Sequence, residues 1–146
     1  MLEEKMQLVQ SKLKFQNYVV NRLSYATVPD FEPKEGEVYN LNPDFTRKIE
    51  VRDENEYALT LDMSLGKSSE RLPFVMEVSI TGFFMADGVK DPDKALKTNA
   101  TAILFPYVRA LLTMLSNLAS IPPVVLPPIN FAEMVNDIER KNIANQ

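Results

Sequence analysis

The sequence predicts an α+β domain: a four-stranded antiparallel sheet, followed by a long kinked helix, a proline-rich loop and a C-terminal helix. Period-two alternation of apolar and polar residues in the first part of the chain predicts the strands. Apolar residues three and four apart after Asp91 predict the long helix, and paired prolines from residue 122 end it. With 146 residues, the chain fits one domain, 1–146, with an N-terminal extension at 1–12 and a tail at 136–146.

The strands are predicted from short alternating segments. The clearest are "YALTLDMSL" and "LPFVMEVSITGFF", and the first of these places Leu59, Leu61 and Met63 on one face. The segment "GKSSER" has turn chemistry and joins these two strands as a hairpin. Weaker candidates for the first two strands are "KFQNYVVNRLSYA" and "FTRKIEVR", separated by a long loop. Because no helix separates consecutive strands, we expect an antiparallel sheet.

The helical part begins at "DPDKALK", where Asp91 can cap the helix and Pro92 suits its first position. Its apolar stripe is broader than contact with a single sheet requires. The stripe consists of Leu104, Val108, Leu111, Leu115 and Leu118, and Leu112 and Met114 widen it. The proline pairs of "IPPVVLPPINF" keep that segment extended, and Asn130 can cap a last helix after it.

Composition excludes several classes of function. The chain has no cysteine and no histidine, so disulfides, zinc sites of the usual ligand sets and a serine–histidine triad are excluded. A net charge of -4 argues against nucleic acid as a partner. The "LGKSS" stretch lacks the first glycine of a phosphate loop, so Lys67 is expected in a turn. We therefore expect a cytoplasmic protein without membrane insertion, cofactor, metal or enzymatic activity.

The fourth strand is partly apolar on both faces. Met76, Val78 and Ile80 lie on one face, while Val75 lies beside Glu77 on the other. Either the core has two sides within one chain, or one face is buried by a second subunit. We favour the second interpretation, because 146 residues supply no second layer of helices.

The stretch "ILFPYVRALLTMLSNLASIPPVVLPPINF" resembles the SecB protein-export chaperone family. That family typically has an isoleucine-leucine-phenylalanine-proline-tyrosine-alanine-arginine run, a helix, and a proline-bearing loop that ends in asparagine-phenylalanine. The matching residues are Phe105, Pro106, Tyr107 and Arg109 in the first run and Pro127, Asn130 and Phe131 in the second. The resemblance extends over residues 13–135 and is most specific from residue 72 onwards.

The resemblance implies a homotetramer, a dimer of dimers whose long helices lie between two sheets. The residues that it places at the oligomer interface are Met76, Val78, Ile80, Leu111 and Leu115. It implies an ATP-independent holdase that binds unfolded preproteins along surface grooves and keeps them competent for export. Alternatives are a dedicated chaperone of an antitoxin, and a SecB-fold interaction or assembly protein without general chaperone activity.

The chain departs from the family where the SecA motor would dock. The implied SecA-facing residues are Val75 and Glu77, but Asn21 and Ala26 stand where the family usually has acids. The C-terminal tail also lacks the family's acidic character, so SecA binding is expected to be weak. Pro106 is expected near a helix start or at a kink, with Asn99 or Thr101 as an alternative cap.

Overall fold

The computed structural model describes residues 13–32, 34–36, 41–67 and 71–119. Its elements are β1 (Leu13–Thr27), β2 (Asp44–Asp53), β3 (Glu56–Leu65), β4 (Phe74–Ala86), α1 (Pro92–Ala95), a π-helical turn (Leu96–Ala100) and α2 (Thr101–Leu118). The predicted proline-rich loop and last helix, with Pro127, Asn130 and Phe131, lie outside the described residues.

The four strands form one antiparallel sheet in the order β1-β4-β3-β2. The hairpin predicted between the third and fourth strands is present, with Leu61 opposite Ile80. Strand β1 lies at the edge beside β4, so the chain crosses from one side of the sheet to the other between Thr27 and Asp44. The predicted fold class, a four-stranded antiparallel sheet followed by a long helix, is confirmed.

The core lies between one face of the sheet, here called the helix-side face, and helix α2. Alternate residues of β3 and β4 are fully buried there, as their period-two pattern predicts. Gly82 lets α2 approach closely, because a Cβ atom at this position would lie 2.6 Å from a methyl carbon of Leu104. On β2, Phe45 packs against Phe105 of α2 with ring centroids 5.8 Å apart.

The start of the helix is as predicted. Asp91 accepts a hydrogen bond from the backbone N–H of Lys94 at 3.2 Å, and Pro92 occupies the first turn. The helix then continues through the π-helical turn into α2. Pro106 therefore lies inside a helix rather than at its start, and the alternative expectation of a kink stays a prediction. No side chain caps α2, so the alternative caps at Asn99 and Thr101 are also wrong.

One member of the predicted apolar stripe does not face the sheet. The buried face of α2 contains Leu104, Val108, Leu112 and Leu115, whereas Leu118 is 75% exposed. At 100° per residue, Leu118 lies about 40° beyond Leu104, at the edge of the arc that contacts the sheet, and it is the last residue of α2. The sequence stripe was broader than the sheet contact because it included side chains on this flank.

By length and composition alone, the helix from Pro92 to Leu118 could cross a membrane. The core helix of a soluble protein has the same two properties, and one face of this helix packs on the sheet. The absence of membrane insertion stays a prediction.

Candidate client-binding surface

Strand β1 leaves large apolar side chains exposed on the helix-side face. Tyr18, Val20 and Leu23 are 37%, 44% and 37% exposed. Their positions on this face follow from the pairing with β4, because Val20 lies opposite Ile80 and Leu23 opposite Val78. Helix α2 covers β4 but leaves this margin of the sheet in contact with solvent.

Two irregularities in β1 bring these side chains to one face. The register with β4 shifts between Phe15 and Asn17 and again between Val20 and Arg22. Each shift accommodates one extra residue, which changes the face presented by the residues that follow. In consequence Phe15 and Tyr18 share a face although they are three residues apart, and so do Val20 and Leu23. Strict alternation along β1 would have divided them between the two faces.

An aromatic cluster joins β1 to α2. The rings of Tyr18 and Tyr107 are 4.5 Å apart between centroids, and Phe15 lies 5.9 Å from Tyr107. Beneath them, the fully buried Phe84 lies 5.3 Å from Phe15. These distances suit tilted and offset aromatic pairs, so the cluster fixes α2 relative to the edge strand.

Helix α2 carries its own exposed apolar residues on the flank that bears Tyr107. Met114 is 53% exposed, Leu118 is 75% exposed, and Leu111 is half-buried. Spacings of four, three and four residues from Tyr107 place all three along one line of the helix. We call Tyr18, Val20 and Leu23 of β1, together with Leu111, Met114 and Leu118 of α2, the apolar strip.

The other face of the sheet, the outer face, is polar at its centre. The side-chain amide of Asn21 donates to the hydroxyls of Thr81 at 2.8 Å and Ser79 at 3.3 Å. The hydroxyl of Thr81 also pairs with that of Thr60 at 2.7 Å. These bonds link β1, β4 and β3. Asn21 can donate to both hydroxyls, which an ionised acid at this position could not do.

Glu77 is on the outer face, as the resemblance implied, but its charge is compensated within the chain. It forms an ion pair with Arg22 at 3.0 Å and another with Lys67, and it accepts a hydrogen bond from Ser24 at 3.3 Å. Val75, the other implied SecA-facing residue, is half-buried on the same face. A charge neutralised by two cations attracts a basic partner less than an unpaired acid does.

Most of the residues that the sequence placed at an oligomer interface belong to the core of the single chain. Met76, Val78 and Ile80 are 0–1% exposed, and Leu115 is 9% exposed. In the single chain the three strand residues have no accessible surface left to bury against a second subunit, and their place at an oligomer interface stays a prediction. The alternation was assigned correctly, but the face that it defines is covered by the protein's own helix. Among the five residues, Leu111 keeps substantial exposed area.

The motif residues of the helix have different surroundings in the folded chain. Phe105 is in the core, Tyr107 joins the aromatic cluster, and Pro106 and Arg109 are exposed. Within the described ranges, no three acidic side chains gather as a metal site. Among those residues, the prominent surface feature is therefore the apolar strip.

An exposed apolar strip beside an edge strand, on a small α+β domain, is typical of a protein that binds other polypeptides. Fold and surface together are those of a protein that binds other polypeptides. The chain belongs to the SecB family, described as preprotein translocase subunit SecB, whose match covers residues 9–142. The family resemblance found in the sequence is confirmed.

Two relatives and one solved structure are similar to this chain. An uncharacterized protein of Methanocaldococcus jannaschii is 33% identical, over 87% of this chain and 84% of its own length. The protein-export protein SecB of Actinobacillus succinogenes is 32% identical, over 82% of this chain and 75% of its own. The fold resembles that of the SecB-like chaperone Rv1957 of Mycobacterium tuberculosis, solved in complex with a ChAD peptide from the HigA1 antitoxin. The TM-score is 0.65 at 14% identity, covering 83% of this chain and 93% of that one.

Proposed function

We propose that this protein is an ATP-independent holdase that binds unfolded polypeptides through the apolar strip in the cytoplasm. The observation that supports this function best is the exposure of Tyr18, Val20 and Leu23 beside covered residues of similar character. An unfolded client offers apolar side chains and free backbone groups, which an edge strand with apolar neighbours can bind without a fixed sequence. Export of preproteins is the family function that this activity would serve.

The test is suppression of aggregation. A chemically unfolded, slow-folding client is diluted into buffer with an equimolar amount of the protein, and light scattering is followed with and without ATP. We expect lower scattering for several unrelated clients and no effect of nucleotide, because the sequence contains no phosphate-binding motif. Undiminished aggregation of all clients would contradict the proposal.

The assembly that we propose is a homotetramer in which the apolar strip is partly shared between subunits. Leu111, Met114 and Leu118 keep exposed apolar surface at helical spacing, which is suitable for packing against a second helix. Light scattering after size exclusion tests the assembly. A monomeric mass at micromolar concentration would contradict it.

Transfer of clients to SecA is expected to be weak. Asn21 is engaged with Ser79 and Thr81, Ala26 has no charge, and Glu77 is paired with two cations. Titration of labelled SecA at physiological salt tests this expectation. Nanomolar affinity would show that the outer face attracts the motor despite its compensated charge.

A second candidate is the dedicated chaperone of an antitoxin. The similarity in fold to a SecB-like chaperone solved with an antitoxin peptide favours this candidate. An affinity purification from the native cells distinguishes the two. Many unfolded clients would support the holdase, and a single antitoxin would support the dedicated chaperone. Capture of one folded protein would instead identify an assembly protein.

A further inference from the structure

The buried residues of the helix follow a spacing that a regular α-helix cannot keep on one face. Residues that are 0% exposed recur every four positions from the π-helical turn into α2: Leu96, Ala100, Leu104, Val108 and Leu112. In an α-helix each step of four residues advances by roughly 40° beyond a full turn. Leu112 would then lie roughly 160° from Leu96, and the two side chains could not both be buried against one sheet.

The π-helical turn corrects this drift. Its hydrogen bonds join residues five apart instead of four, so the turn takes up one residue more than an α-helical turn does. In consequence Leu112 lies only roughly 60° from Leu96, within the width of an apolar stripe. The π-helical turn at Leu96–Ala100 therefore sets the rotation of α2 about its own axis.

Helix α2 carries two apolar lines, and one of them faces the sheet. The buried line, here called the core line, consists of Leu104, Val108, Leu112 and Leu115. One position before each of them stands a residue of a second line, here called the flank line: Ile103, Tyr107, Leu111 and Met114. Neighbouring residues of an α-helix lie roughly 100° apart, so the two lines differ by the rotation of one residue. If the π-helical turn became α-helical, each residue of the flank line would take the place of the core-line residue that follows it.

Side-chain donors hold the π-helical turn. Arg47 of β2 lies on the helix-side face, opposite the buried Leu61, and its Nη1 donates to the carbonyl of Lys97 at 3.3 Å. The hydroxyl of the buried Thr101 donates to the carbonyl of Leu96 at 3.5 Å. In an α-helix these two carbonyls would accept from the backbone N–H groups of the residues four positions later. Donors from side chains therefore support the π geometry at both carbonyls.

We propose that Arg47 is a positioning residue for the binding surface, because its bond to the π-helical turn fixes which apolar line of α2 is exposed. When Arg47 releases the carbonyl of Lys97, the turn closes to α-helical geometry and α2 rotates by about 100°. The flank line then turns toward the sheet, and Leu111 and Met114 leave the apolar strip. Both lines are apolar, so either can face the sheet, and the bond from Arg47 selects between the two states. The regulatory role rests on the proposed function, whereas the rotation can be measured without a client.

Cysteine labelling measures the rotation. The chain contains no cysteine, so one introduced thiol reports the exposure of one position. Val108→Cys marks the core line, Met114→Cys the flank line and Val78→Cys the sheet that α2 covers. The rate of labelling by a maleimide dye is compared between the Arg47 and the Arg47→Met backgrounds. We expect Arg47→Met to raise labelling at position 108 about tenfold, to lower it at position 114 about twofold and to leave position 78 unchanged.

The opposite signs at positions 108 and 114 separate rotation from loosening of the fold. A purely structural role for Arg47 predicts faster labelling at positions 78 and 108 without slowing at position 114, and that result would overturn the assignment. Unchanged labelling at positions 108 and 114 would overturn it as well. Lys48→Met is the matched control, because it removes a cation from the other face of the same strand, and it should leave all the rates unchanged.

A deletion tests whether Arg47 acts through the π-helical turn. Asn99 is exposed, and without it a regular α-helix keeps the core line on the sheet. This variant should label like the unaltered protein, and Arg47→Met should no longer change its labelling. Deletion of Ala110, which is exposed within α2, is the matched control and should lower the melting temperature, because it turns Leu112 away from the sheet. An equal effect of Arg47→Met with and without Asn99 would contradict the assignment.

Suppression of client aggregation separates this assignment from the proposed function. Arg47→Met should weaken suppression about twofold or more, and deletion of Asn99 in the same chain should restore it. Unchanged suppression by a rotated helix would overturn the regulatory role. If the unaltered protein suppresses no aggregation, the holdase proposal is wrong, and the labelling rates still decide whether Arg47 sets the rotation of α2. If it suppresses aggregation and Arg47→Met leaves the labelling rates unchanged, only this assignment is wrong.

Discussion

On the helix-side face, both the central strand β4 and the edge strand β1 carry apolar side chains, but these side chains differ in how far they are covered. Ile80 and Val78 of β4 are 0% and 1% exposed, while Val20 and Leu23, opposite them on β1, are 44% and 37% exposed. The two pairs lie one strand spacing of about 4.8 Å apart, and helix α2 covers Ile80 and Val78 but not Val20 and Leu23. The comparison shows that an apolar residue on the correct face of a strand can belong either to the core or to a binding surface.

Strand β2, at the opposite edge of the sheet, is protected from pairing with another chain by its charged side chains. Strand β2 carries charged side chains, and Lys48 and Glu50 form an ion pair at 3.0 Å. Arg47 donates to the carbonyl of Lys97 at 3.3 Å, which ties β2 to the π-helical turn. Charged residues at a sheet edge oppose pairing with another chain. The two edges therefore differ in charge, which supports the proposal that β1 binds polypeptides.

The largest effect is expected from a charge at the centre of the face. Ile80→Asp should lower the free energy of unfolding by about 4 kcal/mol or more, because an unpaired charge would be buried against α2. Val20→Asp, its cross-strand control, should cost about 1 kcal/mol or less, because Val20 is exposed. Urea unfolding followed by circular dichroism measures both. A folded Ile80→Asp protein of reduced oligomeric mass would contradict the core assignment and restore the predicted interface.

A smaller effect is expected where α2 approaches the sheet most closely. Gly82→Ala should cost about 1–3 kcal/mol, because the new methyl group would overlap the side chains of Leu104 and Phe84. Ser79→Ala, on the outer face of the same strand, is the control and should cost about 1 kcal/mol or less. Thermal unfolding of the two variants provides the measurement. Equal melting temperatures would mean that α2 shifts without cost.

At the margin, we expect changes in binding with little change in stability. The double variant Val20→Ser/Leu23→Ser should unfold within about 1 kcal/mol of the unaltered protein, since both side chains are already exposed. It should lose most of its suppression of client aggregation. Val51→Ser is the control, because Val51 is 74% exposed on the same face but lies on β2. Retained suppression by the double variant, or equal loss in Val51→Ser, would refute the role of β1.

The smallest effect is expected on the outer face. Glu77→Gln should cost about 1 kcal/mol or less at low salt, and the cost should shrink in 0.5 M salt, because its partners Arg22 and Lys67 are more than half exposed. The suppression of client aggregation should not change. Urea titrations at the two salt concentrations measure the effect. If the variant no longer suppresses client aggregation, the outer face takes part in client binding. The two faces of the sheet would then not differ in function.

Much of the fold was predictable because its signals are local. Alternation defined β3 and β4 and assigned their faces correctly, and Asp91 followed by Pro92 defined the start of the helix. The short motif around Pro106 identified the family. Each of these signals depends on residues within a few positions of one another.

The binding surface was harder to predict. Strand β1 has a weak pattern because two register shifts interrupt its alternation, so Tyr18 and Val20, which lie between the shifts, could not be placed on the same face as Phe15. A bulge depends on pairing with β4, more than fifty residues away along the chain, and leaves little trace in β1 itself. The ion pairs of Glu77 with Arg22 and Lys67 also join distant segments, and the sequence showed only an acidic residue.

The sequence by itself determined the order of strands and helix, the apolar face of each strand in the β3–β4 hairpin, and membership of the SecB family. The tertiary structure decided which of those apolar residues are covered. Hydrophobicity is a property of a side chain, whereas burial is a property of what lies next to it. Helix α2 covers Ile80 and Val78 and stops short of Val20 and Leu23, and that placement separates the core from the candidate binding surface.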